Sequence, residues 1–134
     1  MAGPKRRNER TIRWLFDEVI NGKQYDRIPR YCTPDGAMHR SGGVVIEGRD
    51  AYANHYRELH AAFPDFEAAL TDVVADSERV ATRLVVTGTH EGELLGVAPT
   101  GTRVRFSAQV LVRLADGTVT AEVLQSDRTS LPEH

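Results

Sequence analysis

From residue 102 to 114 apolar side chains occupy every second position: Val104, Phe106, Ala108, Val110, Val112 and Leu114 alternate with Arg103, Arg105, Ser107, Gln109, Leu111 and Arg113. A period of two marks a strand with one buried and one solvated face. Such a face demands a second layer to cover it. The same period recurs over 66–74, 79–90 and 118–129, with breaks at Asp76-Ser77-Glu78, from Gly92 to Gly101, and at Asp116-Gly117. Asp-Gly suits a tight hairpin because both residues tolerate positive φ.

The first half of the chain follows a different period. Ile12, Leu15, Phe16 and Val19 fall at i, i+3, i+4 and i+7 and predict a helix over 8–21, with Trp14 and Ile20 beside the stripe. Asn21-Gly22 reads as its left-handed end. A short helix is expected over 26–31, then a turn at Thr33-Pro34-Asp35-Gly36 and a hairpin within 37–46 around Ser41-Gly42-Gly43. Tyr52, Tyr56, Leu59 and Phe63 predict a third helix over 49–63, stopped by Pro64. Helices followed by an antiparallel sheet make an α+β domain, with the helices on one sheet face. Helices over a curved sheet close its narrow end and leave room for a pocket at the wide end.

Composition narrows the partners. The chain of 134 residues fits one domain, and its formal charge of −2 points away from nucleic acid. Of 17 basic residues only Lys5 and Lys23 are lysine, and the Lys5-Arg6-Arg7 cluster is interrupted at Glu9. Cys32 stands alone, so neither an intramolecular disulfide nor a cysteine-based zinc site is expected. No apolar run approaches the roughly 20 residues of a membrane span, and no secretory h-region is seen, so a cytoplasmic location is expected.

The last strand carries the leading catalytic candidate. Strict alternation puts Val119, Ala121, Val123, Gln125 and Asp127 on one face, and Thr120, Glu122, Leu124, Ser126 and Arg128 on the other. A carboxylate on a mainly apolar face finds a partner, meets water, or has its pKa raised. Asp127 is therefore either a structural residue at a strand end or a general base.

Other side chains have two readings each. His39 serves as a polarising donor or as a backbone-satisfied histidine. His55 and His60 are five apart, which is not the spacing of a helical metal pair, and packing or surface roles are expected. A metal at His90 would need ligands from elsewhere, and no metal is expected. Gln109, on the polar face of the 102–114 strand, either faces a cavity as a donor or lies outside. Trp14 and Phe16 stack on a flat ligand or belong to the core. Leu94-Leu95-Gly96-Val97 caps a pocket mouth or simply anchors a loop.

Several pieces in order resemble a known family. These are Asn8 with Val19-Ile20-Asn21-Gly22, Pro34-Asp35-Gly36 before His39, Glu47-Gly48, Ala62-Phe63-Pro64-Asp65, Gly88-Thr89-His90 with Gly92, Pro99-Thr100-Gly101, and Asp116-Gly117 leading to Asp127. Over about 8–131 the chain is similar to the SnoaL-like polyketide cyclases of the nuclear-transport-factor-2-like superfamily. The resemblance implies a cone-shaped α+β barrel and a cofactor-free aldol ring closure of a polyketide intermediate. It implies a small hydrophobic substrate and homodimer formation through the outer sheet face. By position Asp127 matches the family's base, with His39 as its polarising partner. Where the family often has Glu-His-Trp, this chain has Ala121-Glu122-Val123, so Val123 replaces an aromatic cavity residue. The superfamily also holds epoxide hydrolases, pyran-forming cyclases, hydroxylase components and non-catalytic binding domains, and fold alone does not choose among them.

Overall fold

Residues 3–40, 43–94 and 96–126 are described by a computed structural model. Helix α1 spans Pro4–Leu15, with proline at the first turn, where its missing N–H has no helical partner to lose. The helix then widens into a π turn over Phe16–Ile20, closed by the Asn21 N–H donating to the Phe16 carbonyl at 2.8 Å. The wider turn rotates the last residues, and Ile20 enters the core beside Ile12, Leu15, Phe16 and Val19.

The end of this helix differs from the sequence expectation. Lys23, not Asn21 or Gly22, takes the left-handed conformation, with φ 60°. Gly22 is needed for space: a Cβ there would lie 2.5 Å from the Asp17 carbonyl oxygen and 2.6 Å from that of Glu18. Asn21 acts through its side chain, which bonds both backbone groups of Ala68 at 2.9 and 2.7 Å. It thereby fixes the helix to the edge of the sheet.

A 3-10 helix, Tyr25–Arg30, leads into β1 (Cys32–His39) and the short β2 (Val45–Glu47). Helix α2 covers Arg49–Ala62, close to the expected span. The remaining strands are β3 (Glu67–Ala75), β4 (Arg79–Thr89), β5 (Arg103–Ala115) and β6 (Thr118–Ser126). Their order in the sheet is β2-β1-β6-β5-β4-β3. All neighbours are antiparallel except β1 and β6, which run parallel, so the sheet is mixed and not purely antiparallel. The β5–β6 hairpin turns as expected, with Asp116 at φ 51° and Gly117 at φ 78°.

Two irregularities decide which side chains point inward. The Thr33-Pro34-Asp35-Gly36 segment is not a turn but a bulge inside β1. Cys32 lies opposite Val119 and Ala37 opposite Ala121, so four residues of β1 face only Thr120. Proline is tolerated there because the ladder is already broken. On β6, Leu114 pairs with Val119 and Arg113 with Ala121, which leaves Thr120 as one extra residue. One extra residue exchanges the two faces of everything beyond it. Val119 is buried before the bulge; after it Glu122 is buried, whereas Val123 and Gln125 are exposed.

The inner sheet face, including Leu84, Val86, Ala108, Val110 and Val112, packs with α1, the π turn and α2 into one cluster. Ala62, Phe63, Leu94 and Val104 form a smaller one, so Leu94 anchors its loop by burial. Among the described residues no helix is long and apolar enough to cross a membrane.

Candidate active site around Glu122

The bulge at Thr120 turns Glu122 inward, where only 4% of its surface is exposed. Facing it is Arg40, at the end of β1, with Nη1 3.9 Å from Glu122 Oε1. That separation is an ion pair without a direct hydrogen bond. Arg40 Nη2 donates to the Tyr56 hydroxyl at 3.3 Å and touches Met38 Sδ at 3.6 Å. Helix α2 supplies Tyr52 and Tyr56 one turn apart, with ring centroids 5.1 Å apart, and His55 packs edge-on against Tyr56.

Three buried polar atoms in this cluster have no hydrogen-bond partner: Arg40 Nη1, Tyr52 Oη and Glu122 Oε2. A buried polar group left unpaired is costly, by about 1–3 kcal/mol each, and in a native fold it asks for a function or a ligand. Here the set comprises one cationic donor, one hydroxyl and one carboxylate acceptor. It complements a molecule that offers both an oxygen acceptor and an acidic hydrogen.

Burial pushes the Glu122 carboxyl above the ordinary carboxylate range, against the opposing pull of Arg40 and the nearby Tyr52. Burial likewise pushes the Tyr56 phenol up to about 12 and holds the Cys32 thiol protonated. His55 goes the other way, to about 4, because burial, then Arg40, then His60 disfavour its cation. A histidine that is neutral in the fold but charges freely when unfolded stabilises fully above its ordinary 6.5, and that contribution is lost as pH falls from 6.5 through 4. The half-buried ring limits the loss to roughly 2 kcal/mol. Thermal melts at pH 7 and pH 4.5 should therefore differ more in the wild type than in His55→Gln. Equal differences would remove His55 from the acid response.

Among the described residues, the side chains singled out from sequence do not converge. His39 and Val123 are exposed and lie opposite one another on neighbouring strands of the outer sheet face. Gln109 is exposed on the same face, between Arg83 and Gln125. These three cannot line the interior: His39 neighbours the inward Met38, Gln109 alternates with the inward Ala108 and Val110, and the Thr120 bulge sends Val123 outward. Trp14 is 49% exposed beneath the Arg10 guanidinium, 5.2 Å from its ring centroid. Phe16 is in the core and borders a separate groove of about 290 Å³ with Arg13, Asp17, Asn21 and the 67–70 stretch of β3. Asp127 lies outside the described residues.

Two further histidines are held by hydrogen bonds away from this cluster. His60 Nε2 donates to the Ile20 carbonyl at 2.7 Å, and its Nδ1 accepts from the Tyr25 hydroxyl. Buried His90 Nδ1 accepts from the Thr100 N–H at 3.3 Å. Among the described residues no three His, Cys, Asp or Glu side chains gather to hold a metal. Sequence reading missed Glu122 because strict alternation assigns it to the outer face. It missed Tyr52 and Tyr56 as donors because they sit in the apolar stripe of α2.

The sequence matches the model of the SnoaL-like polyketide cyclase family over residues 10–133. No curated protein matches it. Among solved structures, one from Jannaschia sp. CCS1, assigned as a SnoaL-like polyketide cyclase, superposes with a TM-score of 0.87 at 25% identity, covering 99% of this chain and 98% of that one. IdmH of Streptomyces antibioticus, assigned as a polyketide cyclase, gives 0.77 at 28% identity over 90% of this chain and 91% of its own. AclR of Streptomyces galilaeus, assigned as a hydroxylase, gives 0.76 at 26% identity over 90% and 74%. The α+β fold is the curved, unclosed sheet with helices on its inner face that these proteins share.

Proposed function

We propose that this chain, which belongs to the SnoaL-like polyketide cyclase family, is an enzyme that closes a ring in a small hydrophobic polyketide intermediate by aldol-type acid/base catalysis. It needs no cofactor for this step. One observation carries the reading: a buried carboxylate beside a buried guanidinium and hydroxyl, with one polar atom of each left unpaired. Glu122 takes a proton from the carbon flanked by carbonyls, its basicity raised by burial. The charge moves to the carbonyl oxygen, where Arg40 Nη1 and the Tyr52 hydroxyl are the available donors. The carbanion carbon then bonds to a second carbonyl carbon, whose oxygen takes the proton from Glu122. The family resemblance offers Asp127 as an alternative base.

The cavity beside Glu122 measures about 10 Å³, whereas small-molecule sites occupy roughly 300–1,000 Å³. A polyketide therefore enters only as the interior opens. A non-catalytic binding domain would keep the pair closed. The test is incubation with linear poly-β-ketones and mass analysis of the products. Ring closure leaves the mass unchanged or lower by one water, hydroxylation adds oxygen, and epoxide hydrolysis adds water. Products identical to the enzyme-free control would sink the enzymatic reading.

A homodimer through the outer sheet face belongs to the same proposal. Val74, Ala81, Leu111, Val123, His39 and Val45 stand in register across all six strands. Val74 is 69% exposed and Val45 47%. The next row carries Asp72, Arg83, Gln109 and Gln125, so a two-fold axis can set opposite charges against each other. Light scattering should find a dimer that Leu111→Glu converts to a monomer; a wild type that is monomeric at every concentration contradicts this.

A further inference from the structure

The bulge of β1 leaves an opening in the sheet beside the interior carboxylate. Between Cys32 and Ala37 the strand moves away from β6 and then returns to it. The gap holds a cavity of about 10 Å³, the room one water needs. Glu122 and Tyr52 line it from inside; Thr33, Gly36 and Thr120 line it from the bulge side. Glu122 Oε2 and Tyr52 Oη are both buried and neither makes a hydrogen bond of ordinary geometry, although the Tyr52 hydroxyl faces the Glu122 carboxyl closely enough to lower its pKa. Arg40 lies on another side of Glu122 and is not part of this wall.

We propose that this cavity binds a water molecule bridging Glu122 and Tyr52, and that this water is the route by which Glu122 exchanges its proton with solvent. The Glu122 carboxyl proton passes to the water while the water returns one of its own protons to the carboxyl group, so no net charge moves, and the water then exchanges with solvent. Thr33 and the Thr120 carbonyl continue the polar path toward the surface. The site gives the base an exchange route on a different side from Arg40, where a ligand oxygen would sit. Only this catalytic meaning rests on the reading of Glu122 as a base; the water and its route do not.

Gly36 is the place to block the route. A Cβ there would lie 3.3 Å from both the Thr120 carbonyl oxygen and Thr33 Oγ1, tight but correctable, and the residue has no positive φ to prevent substitution. At a pH low enough to protonate Glu122, its carbonyl stretch, identified by its loss in Glu122→Gln, is followed by infrared after rapid dilution from H2O into D2O. The wild type should shift at least tenfold faster than Gly36→Ala. Should that variant fail to fold, Thr33→Val, which adds no volume, should slow exchange about threefold. A crystal structure at atomic resolution should show the water on Glu122 and Tyr52. Equal rates in wild type and variants, or no water at this place, overturn the proposal. Slowed exchange in a protein whose turnover ignores Glu122→Gln would refute the base assignment and leave the water route standing.

Discussion

Replacing Glu122 by Gln is expected to lower cyclisation by roughly 100- to 10,000-fold, the range lost when a positioned acid/base group is removed. Gln keeps the size of the side chain but neither accepts a proton from carbon nor returns one to oxygen. The paired experiment is Asp127→Asn. If Glu122 is the base, Asp127→Asn retains activity within a few-fold; if the base is the residue matched by family position, the two results exchange. Both variants are assayed below their melting temperatures, since Glu122→Gln removes the anion facing Arg40. Full turnover in Glu122→Gln would place the chemistry elsewhere.

The second large effect is on stability. Arg40→Met should destabilise the protein by about 3–5 kcal/mol near pH 8, because removing one partner leaves a buried charge alone. The pH dependence has a definite sign. Glu122 already has its folded-state pKa raised, so its contribution to stability is present below the ordinary carboxylate value and lost as pH rises through the folded one. Losing Arg40 raises that pKa further. The variant should therefore be weakest at alkaline pH and recover as pH falls through the carboxyl's raised folded-state value. Combining Arg40→Met with Glu122→Gln should restore most of the loss at pH 8. A double variant no more stable than the single would mean that Arg40 acts through packing against Met38 and Tyr56, not through its charge.

Much of the fold is visible in the sequence because periodicity is a direct image of burial. The alternation from Val104 to Leu114 becomes β5, and the Tyr52–Phe63 spacing becomes α2. Asp116-Gly117 adopts the backbone that its residue types allow. What the sequence hides is the place where a period is reset. Neither Thr120 nor Thr71, the extra residue between Leu70 and Asp72 on β3, differs in type from a regular strand residue. The π turn is hidden for the same reason, since Phe16–Ile20 reads as ordinary helix. The site suffers most. A buried Arg–Glu pair forms from residues 82 positions apart, and each alone looks like a surface charge. His39, Gln109 and Val123 follow the right pattern but lie on the wrong side of it.

Thr120 gives the final strand something like a reading frame. Upstream of it the odd-numbered Val119 faces the core; downstream the even-numbered Glu122 does, so the interior chemistry depends on a count as much as on a residue type. A relative with the same residues but no bulge at this place would turn its glutamate to the solvent and present the neighbouring position inside. Two such proteins would align column by column and still keep different side chains within reach of a substrate. In this fold the pairing of a single residue can decide which side chain faces the interior while every strand stays in place.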